Sequence, residues 1–322
     1  MSTIAITGAT GFIGRTLASF MKDRGWRVLG TVRASDQAGT LPDGVEPLVI
    51  GHIGSGTDWG RSLDGVDAVV HLAARAHVAR DRASDPLAAF REVNVAGSER
   101  LARMAAEAGV GRMIFVSSIG VNGNYTTGAP FTEAGEPCPH DLYAVSKWEA
   151  EQALSRIGRE TGLEIATLRP PLVYGPQAPG DLTARIIRMV ERNLPLPLAG
   201  IKARRSYIYS KNMVEAIFTC LTHPRAAGQT YLVSDGQDVS TPEFIKHVAG
   251  AMGRSARLFP CPMALLRLAG RLAGKARTVE GLLTALEIDS SKIRMDLDWQ
   301  PPYTVSVGLA ETVDWYMTHE RS

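Results

Sequence analysis

Cysteine, aromatic residues and net charge are all scarce in this sequence. The three cysteines, Cys138, Cys220 and Cys261, are odd in number and far apart in a chain of 322 residues. That excludes a disulfide framework and points to a reducing compartment. Thirty-five basic side chains against 33 acidic ones leave a formal charge of +2, which excludes a protein that grips nucleic acid through a strongly basic surface. No apolar run is long enough to span a membrane, and no basic leader precedes an apolar stretch, so a cytoplasmic protein is expected. Repeats and low-complexity tracts are missing, and no metal-ligand set stands out. What remains is an ordinary globular composition, 45% hydrophobic and 21% charged, able to bury a sizeable core in one large domain or two unequal ones.

The N-terminal half alternates short apolar runs with longer stretches of three- and four-residue periodicity. Strands are expected at Thr3–Thr7, Arg27–Val32, Glu46–Ile50, Ala68–Leu72, Arg112–Ser117 and Glu164–Leu168. Helices are expected at Phe12–Arg24, Pro86–Ala108 and Leu142–Glu160. Alternation of this kind implies right-handed crossovers and an α/β fold, a doubly wound parallel sheet covered on both faces. Beyond about residue 170 proline and glycine break the pattern. Short strands near Tyr207 and Tyr231 alternate there with helices at Lys211–Leu221 and Thr241–Met252. The expected division is a dinucleotide-binding domain over 1–170 and a smaller, mostly helical substrate lobe over 171–322, with elements interleaved between them. The stretch Met263–Leu286 is rich in Leu, Ala, Gly and Arg. Its arginines exclude a membrane span, and it reads as a packed surface helix pair in preference to a membrane-surface anchor.

The opening segment carries a strand, a glycine-rich turn and a helix in immediate succession, with Gly8, Gly11 and Gly14 three residues apart. Gly8 permits a tight turn, Gly11 a close backbone approach, and Gly14 close packing of helix on strand. The helix N-terminus then offers free N–H groups to a pyrophosphate, which makes this a Rossmann-type dinucleotide loop. NAD sites usually place an acid at the end of the second strand to accept from the ribose 2′-hydroxyl. Here Val32 and Arg33 stand in its place. A guanidinium there suits a 2′-phosphate, so NADP(H) is favoured and NAD(H) is the alternative, unless Arg33 is simply a solvated loop residue.

Two further segments carry reactive groups. The fifth strand ends in Ser117 and Ser118, and the helix beginning near residue 142 opens with Tyr143, followed four residues later by Lys147. Four residues apart on a helix is one face. An ammonium beside a phenol is expected to lower the phenol's pKa toward working pH, making Tyr143 an acid/base for an alcohol or carbonyl that Ser118 orients.

The chain resembles the extended short-chain dehydrogenases/reductases, in the group of nucleotide-sugar epimerases, dehydratases and reductases related to UDP-glucose 4-epimerase. The resemblance rests on Gly8-Ala-Thr-Gly11-Phe12-Ile13-Gly14, His71-Leu72-Ala73-Ala74, Asn94, Ser117-Ser118, Tyr143 with Lys147, Arg169-Pro170 through Pro176, and Arg205-Ser-Tyr-Ile208. It implies that Ser118, Tyr143 and Lys147 are catalytic, and that Gly8, Gly11, Phe12, Ile13, Gly14, Leu72, Ala73, Ala74, Asn94, Ser117, Tyr143, Lys147 and Pro170 meet the cofactor. It also implies that Arg205, or Arg204 beside it, binds the substrate diphosphate, that Ser118, Asn122 and Tyr143 contact the sugar, and that the enzyme is a homodimer. His71 is read as a packed histidine at a strand end.

Several positions depart from the group's pattern. His52 and Ile53 replace an acid and its apolar neighbour at the adenine, Asn122 replaces a tyrosine on the floor of the sugar pocket, and Leu172 replaces an asparagine. A 4,6-dehydratase needs an acid and a base beside its serine, whereas Ile119 and Gly120 follow Ser118 here. A carbonyl reduction or an epimerisation at one carbon remains, and the resemblance, nearest to UDP-4-keto-6-deoxy-N-acetylhexosamine 4-reductases, implies NADP(H)-dependent reduction of the 4-keto group of a nucleotide-activated sugar, such as a UDP-2-acetamido-2,6-dideoxy-hexos-4-ulose used for surface polysaccharide. An NAD-dependent 4-epimerase acting on a UDP- or lipid-linked sugar is the alternative, and an inactive nucleotide-sensing relative a third reading.

Overall fold

A computed structural model describes residues 1–76, 83–178 and 182–319. Strand β1 (Thr3–Thr7) is buried along its whole length, as an apolar run must be when helices cover both faces of a sheet. It runs through the glycine turn into α1 (Phe12–Asp23), then β2 (Arg27–Val32), β3 (Glu46–Val49) and β4 (Ala68–His71). Helix α2 (Pro86–Arg91) starts on Asp85, whose carboxylate accepts from the Ala88 N–H, with proline in the first turn where no N–H is needed. A wide turn over Glu92–Ala96 joins it to α3 (Gly97–Glu107). The helix expected over 86–108 thus carries a π-bulge that contains Asn94.

After β5 (Arg112–Val116) comes α4 (Leu142–Thr161), capped by Asp141 and closed by Gly162 at φ +81°, the left-handed conformation that glycine adopts most readily. Then follow β6 (Glu164–Arg169), β7 (Leu172–Tyr174), α5 (Leu182–Glu191), β8 (Arg204–Arg205), β9 (Tyr207–Tyr209) and α6 (Ser210–Thr222). The remainder is β10 (Thr230–Leu232), β11 (Val239–Ser240), α7 (Thr241–Ala251), the hairpin α8 (Met263–Leu272) and α9 (Ala276–Leu283), α10 (Ser291–Leu297) and α11 (Val305–His319).

Seven strands form one parallel sheet in the order β10-β6-β5-β4-β1-β2-β3. The chain reverses direction across the sheet between β1 and β4, which is where a doubly wound fold opens its ligand crevice. The strand at Tyr231 is one of the interleaved elements. It lies in this sheet, with Thr230, Tyr231 and Leu232 in register with Thr167, Leu168 and Arg169 of β6. Helix α6 likewise packs on the sheet, its Met213, Val214 and Ile217 sharing a core with Ile4, Ile6 and Ile114. An unpaired β6 would leave a row of buried backbone groups unsatisfied, and β10 removes that cost. A second core, built on Tyr174, Tyr209, Phe244, Val248 and Leu309, gathers α5, α7 and α11 around the parallel pair β7–β9.

One buried ion pair locks α4 to the sheet. Arg169 at the end of β6 donates from Nη2 to Glu151 Oε2 at 2.6 Å and from Nη1 to Asn122 Oδ1 at 2.9 Å. The Asn122 amide nitrogen donates in turn to the Thr132 carbonyl. Both charged side chains are 5% exposed. Asn122 is therefore a buried brace, with both ends of its amide bonded inside the protein. Removing one member of such a pair strands the other charge in a dry interior. Arg169→Leu should lower stability by about 3–5 kcal/mol, read as a shift of the urea midpoint. The double variant with Glu151→Leu should recover much of that loss.

Candidate active site

The site is built at the carboxyl ends of β1, β2, β4 and β5. Gly8 follows β1 at φ +71°. A Cβ there would press on the backbone of Ala73 at 3.0 Å, and a Cβ on Gly14 would collide with the Gly8 carbonyl. The glycines thus serve close approach as well as turning. Gly11 caps α1 with no side-chain bond of its own, leaving the first-turn N–H groups, those of Phe12 and Ile13 among them, free for an anion. Ile13 also packs on the main core. These groups face a cleft of about 590 Å³ lined by Gly8, Gly11, Arg33, His52, Ile53 and Leu72–Ala74. Arg33 is exposed there, and its backbone N–H bonds to Gln37 Oε1.

A chain of hydroxyl, imidazole and amide bonds runs from this cleft to α4. Thr7 Oγ1 accepts from the N–H groups of Leu72 and Ala73, both at 3.1 Å, and meets His71 Nδ1 at 2.6 Å. His71 Nε2 lies 2.8 Å from Ser98 Oγ, which itself donates to the Asn94 carbonyl. Since the Ser98 hydrogen is committed to that carbonyl, Nε2 must be the imidazole donor and Nδ1 accepts from Thr7. The ring is neutral with one tautomer, the packed histidine expected. Asn94 continues the chain. Its oxygen accepts from the Arg75 N–H, and its amide nitrogen donates to the Arg75 carbonyl and to Ser146 Oγ. Ser146 donates to the Tyr143 carbonyl.

Tyr143 and Lys147 share the inner face of α4. The Lys147 ammonium lies 3.9 Å from the centroid of Phe115 on β5, and among the described residues no hydrogen-bond partner is found for it. Burial pulls its pKa down to about 7, with Glu151 opposing. The same burial, helped by Asp141, pushes the Tyr143 phenol up to about 12. Burial and Asp141 thus act against the acidified phenol that the helical spacing suggests. Ser118 Oγ accepts from the Gly120 N–H at 3.1 Å, so its own hydrogen remains available. The Pro170 carbonyl accepts from Ile119 N, which puts Pro170 beside the same turn.

The residues fit a dinucleotide. Besides the glycine cradle, the buried Ser117 hydroxyl has no partner among the described residues, an arrangement that is costly unless something else bonds it. Arg205 is positioned otherwise than a freely extended guanidinium. Its Nη1 donates to the carbonyls of Gly281 and Thr284, both at 2.9 Å, and it lines a 180 Å³ pocket with Leu172, Leu182, Leu282 and Leu286. Arg204 is tied to the Asp238 carbonyl and lies 3.9 Å from Glu243.

A family model described as the NAD dependent epimerase/dehydratase family matches residues 4–234. The chain belongs to that family. It is an NAD(P)-dependent oxidoreductase of the extended short-chain type. This member of the family is 38% identical over 318 residues to the UDP-glucose 4-epimerase of Vibrio cholerae, covering 98% of this chain and 95% of that one. It is 28% identical over 348 residues to the dTDP-glucose 4,6-dehydratase of Xanthomonas campestris pv. campestris, covering 99% and 94%. Among solved structures, the UDP-N-acetylglucosamine 4-epimerase from Bacillus cereus superposes with a TM-score of 0.78 at 23% identity, covering 97% of this chain and 98% of that one, a likeness of fold.

Reading the sequence missed the brace under the site. Glu151 lies one turn beyond Lys147 on the same inner face, and an acid there is itself a signal that a buried cation must face it. Thr7 was also missed, since a threonine closing an apolar strand reads as ordinary strand composition. The neutral, enclosed His71 has a measurable consequence. An unfolded chain takes up this proton near pH 6.5, whereas burial holds the folded ring down to about 3. Across that window the unfolded state binds more protons, so stability falls as pH falls, by up to about 1.4 kcal/mol per pH unit from this group. Urea unfolding of His71→Asn against the parent between these limits should show the slope reduced.

Proposed function

We propose that the enzyme oxidises and re-reduces C4 of a nucleotide-activated hexose, as a 4-epimerase, with Tyr143 exchanging the proton on the C4 oxygen. One observation carries this reading: Tyr143 and Lys147 lie on a single face of α4 that is hydrogen-bonded through Ser146 and Asn94 to the wall of the dinucleotide cleft. The 38% identity to a UDP-glucose 4-epimerase over 98% of the chain supports it. The relatives named dehydratases do not extend their reaction here, because Ile119 and Gly120 beside Ser118 carry no group that moves a proton.

In this reading the N–H groups of α1, with Gly8 and Gly11, hold the diphosphate of the cofactor, Leu72–Ala74 line its path, and Lys147, Ser117, Asn94 and Pro170 surround its reactive end. When bound, the dinucleotide supplies the acceptor and donor of hydrogen at C4. Ser118 donates its free hydrogen to the C4 oxygen and fixes its direction. With a pKa of about 12 the phenol is neutral at pH 7 and gives its proton to that oxygen in the reducing half. In the oxidising half Tyr143 takes the proton of the C4 hydroxyl as it passes its own to the Lys147 amine one helical turn on, whose pKa burial lowers to about 7, and the reducing half returns both protons by the same path. The free edge of the Arg205 guanidinium takes the substrate diphosphate. The outer surface of α3 and α4, cross-linked by Arg103–Glu160 and Arg156–Glu99, is the proposed homodimer contact.

A second reading, an NADPH-consuming 4-ketoreductase acting on a UDP-2-acetamido-2,6-dideoxy-hexos-4-ulose, is favoured by Arg33 at the end of β2 and by the resting, protonated phenol. Cofactor stoichiometry separates the two. A 4-epimerase converts UDP-glucose or UDP-N-acetylglucosamine to its C4 epimer, followed by NMR, with no net change in reduced-nicotinamide absorbance. Inertness toward both sugars, with one NADPH consumed per 4-keto sugar, would establish the second reading instead. In whichever assay shows turnover, Tyr143→Phe should lower kcat by about 10²–10⁴-fold without changing the melting temperature. Arg33→Asp should weaken NADP(H) by about 10- to 100-fold and leave NAD(H) unaffected, as measured by fluorescence titration of each reduced cofactor.

A further inference from the structure

The hairpin α8–α9 has one face that the protein does not cover. Its inner contact is tight: Gly270 is buried against Val279, where a Cβ would lie 2.6 Å from a methyl group, and the Arg267 guanidinium bonds Glu280 twice at 3.1 Å. On the other side of α8, Leu265, Leu268 and Leu272 are 55%, 52% and 82% exposed. Steps of three and four residues bring them into an arc of about 60° on an α-helix. Phe259, just before the helix, is also exposed. With ten residues α8 is far too short to cross a membrane, and among the described residues no helix is long and apolar enough to do so.

Charge decides what can cover the stripe. Between residues 263 and 283 the sequence carries Arg267, Arg271, Lys275 and Arg277 against one acid, Glu280, and that acid is already paired. A second copy docking through the same face would set guanidinium against guanidinium with no carboxylate to answer. An anionic lipid surface answers both features, taking the leucines into its headgroup boundary and the cations against its phosphates. We propose that the leucine stripe of α8 seats the enzyme on an anionic phospholipid bilayer, with α8 lying in the plane of the interface. The seat adjoins the Arg205 pocket, because Arg205 is held by Gly281, in the last turn of α9, and by Thr284, which directly follows it. Docking is independent of which sugar reaction the enzyme performs.

Co-sedimentation with vesicles tests this. The full chain should pellet with vesicles of phosphatidylglycerol and phosphatidylcholine in equal parts, remain in solution with pure phosphatidylcholine, and detach as salt is raised. Leu268→Ser together with Leu272→Ser should reduce partitioning at least about tenfold, and Arg271→Glu should reduce it separately. Since all three side chains are exposed, melting temperature and turnover of soluble substrate should stay unchanged. Absence of binding to the anionic vesicles, or variants that bind as well as the parent, would overturn the proposal. So would analytical ultracentrifugation showing that the double serine variant dissociates a larger assembly of the parent, which would mean that a second copy covers the stripe.

Discussion

Five side chains in series, Thr7, His71, Ser98, Asn94 and Ser146, hold β1, β4, α3 and α4 at fixed separations, and the chemistry of the cleft depends on that series being complete. Each member has a single role set by its neighbour: the Ser98 hydrogen is committed to a carbonyl, so the imidazole must donate to Ser98 and accept from Thr7. A network with every donor matched strengthens in a dry interior, while one missing partner makes the rest expensive. The π-bulge over Glu92–Ala96 belongs to the same arrangement. The wide turn contains Asn94, whose amide meets both faces of the Arg75 peptide and still reaches Ser146. Without the bulge the helix would present that position at a different angle.

Burial, more than charge, governs the reactive pair on α4. A cation one turn away stabilises a phenolate only to the extent that the phenolate keeps some solvation and the cation stays charged. Here the lysine itself sits against the face of Phe115 and loses its proton near neutrality, and the tyrosine is enclosed with Asp141 at its back. Glu151 would hold Lys147 charged, but Arg169 takes that carboxylate for itself. Burial therefore favours the neutral phenol and weakens the charge on the amine one turn along the helix. The brace under the site and the acid/base pair within it are one electrostatic system.

Strands β1–β6 were legible in the sequence to within about one residue at their ends, because a buried parallel strand is a short apolar run bounded by turns and nothing local competes with that signal. The glycine loop was legible for a similar reason, since Gly8 and Gly14 stand where any Cβ would strike backbone. The place of strand β10 in the sheet was not legible. Three residues carry no periodicity, and its place is decided by the open edge of β6, some sixty residues earlier. The bracing role of Asn122 was not legible, because a polar residue shortly after Ser118 reads as pocket floor, whereas the short turn Ile119–Val121 swings it inward to Arg169. The opposing effect of burial on Tyr143 was not legible, because spacing along a helix reveals neighbours and says nothing of how much water is left.

The same limit accounts for the second lobe. Its residues reach the cleft through one another: Arg205 is aimed by two carbonyls at the end of α9, and α9 is aimed by the packing of Val279 on Gly270 in α8. A guanidinium held by backbone oxygens on one edge keeps its other edge rigid, which lowers the entropy lost when an anion arrives. Burial lowers the pKa of Arg205 from its usual value, and an unneutralised cation in such surroundings attracts a diphosphate more strongly than one in water. Leu172, Leu182, Leu282 and Leu286 supply those surroundings.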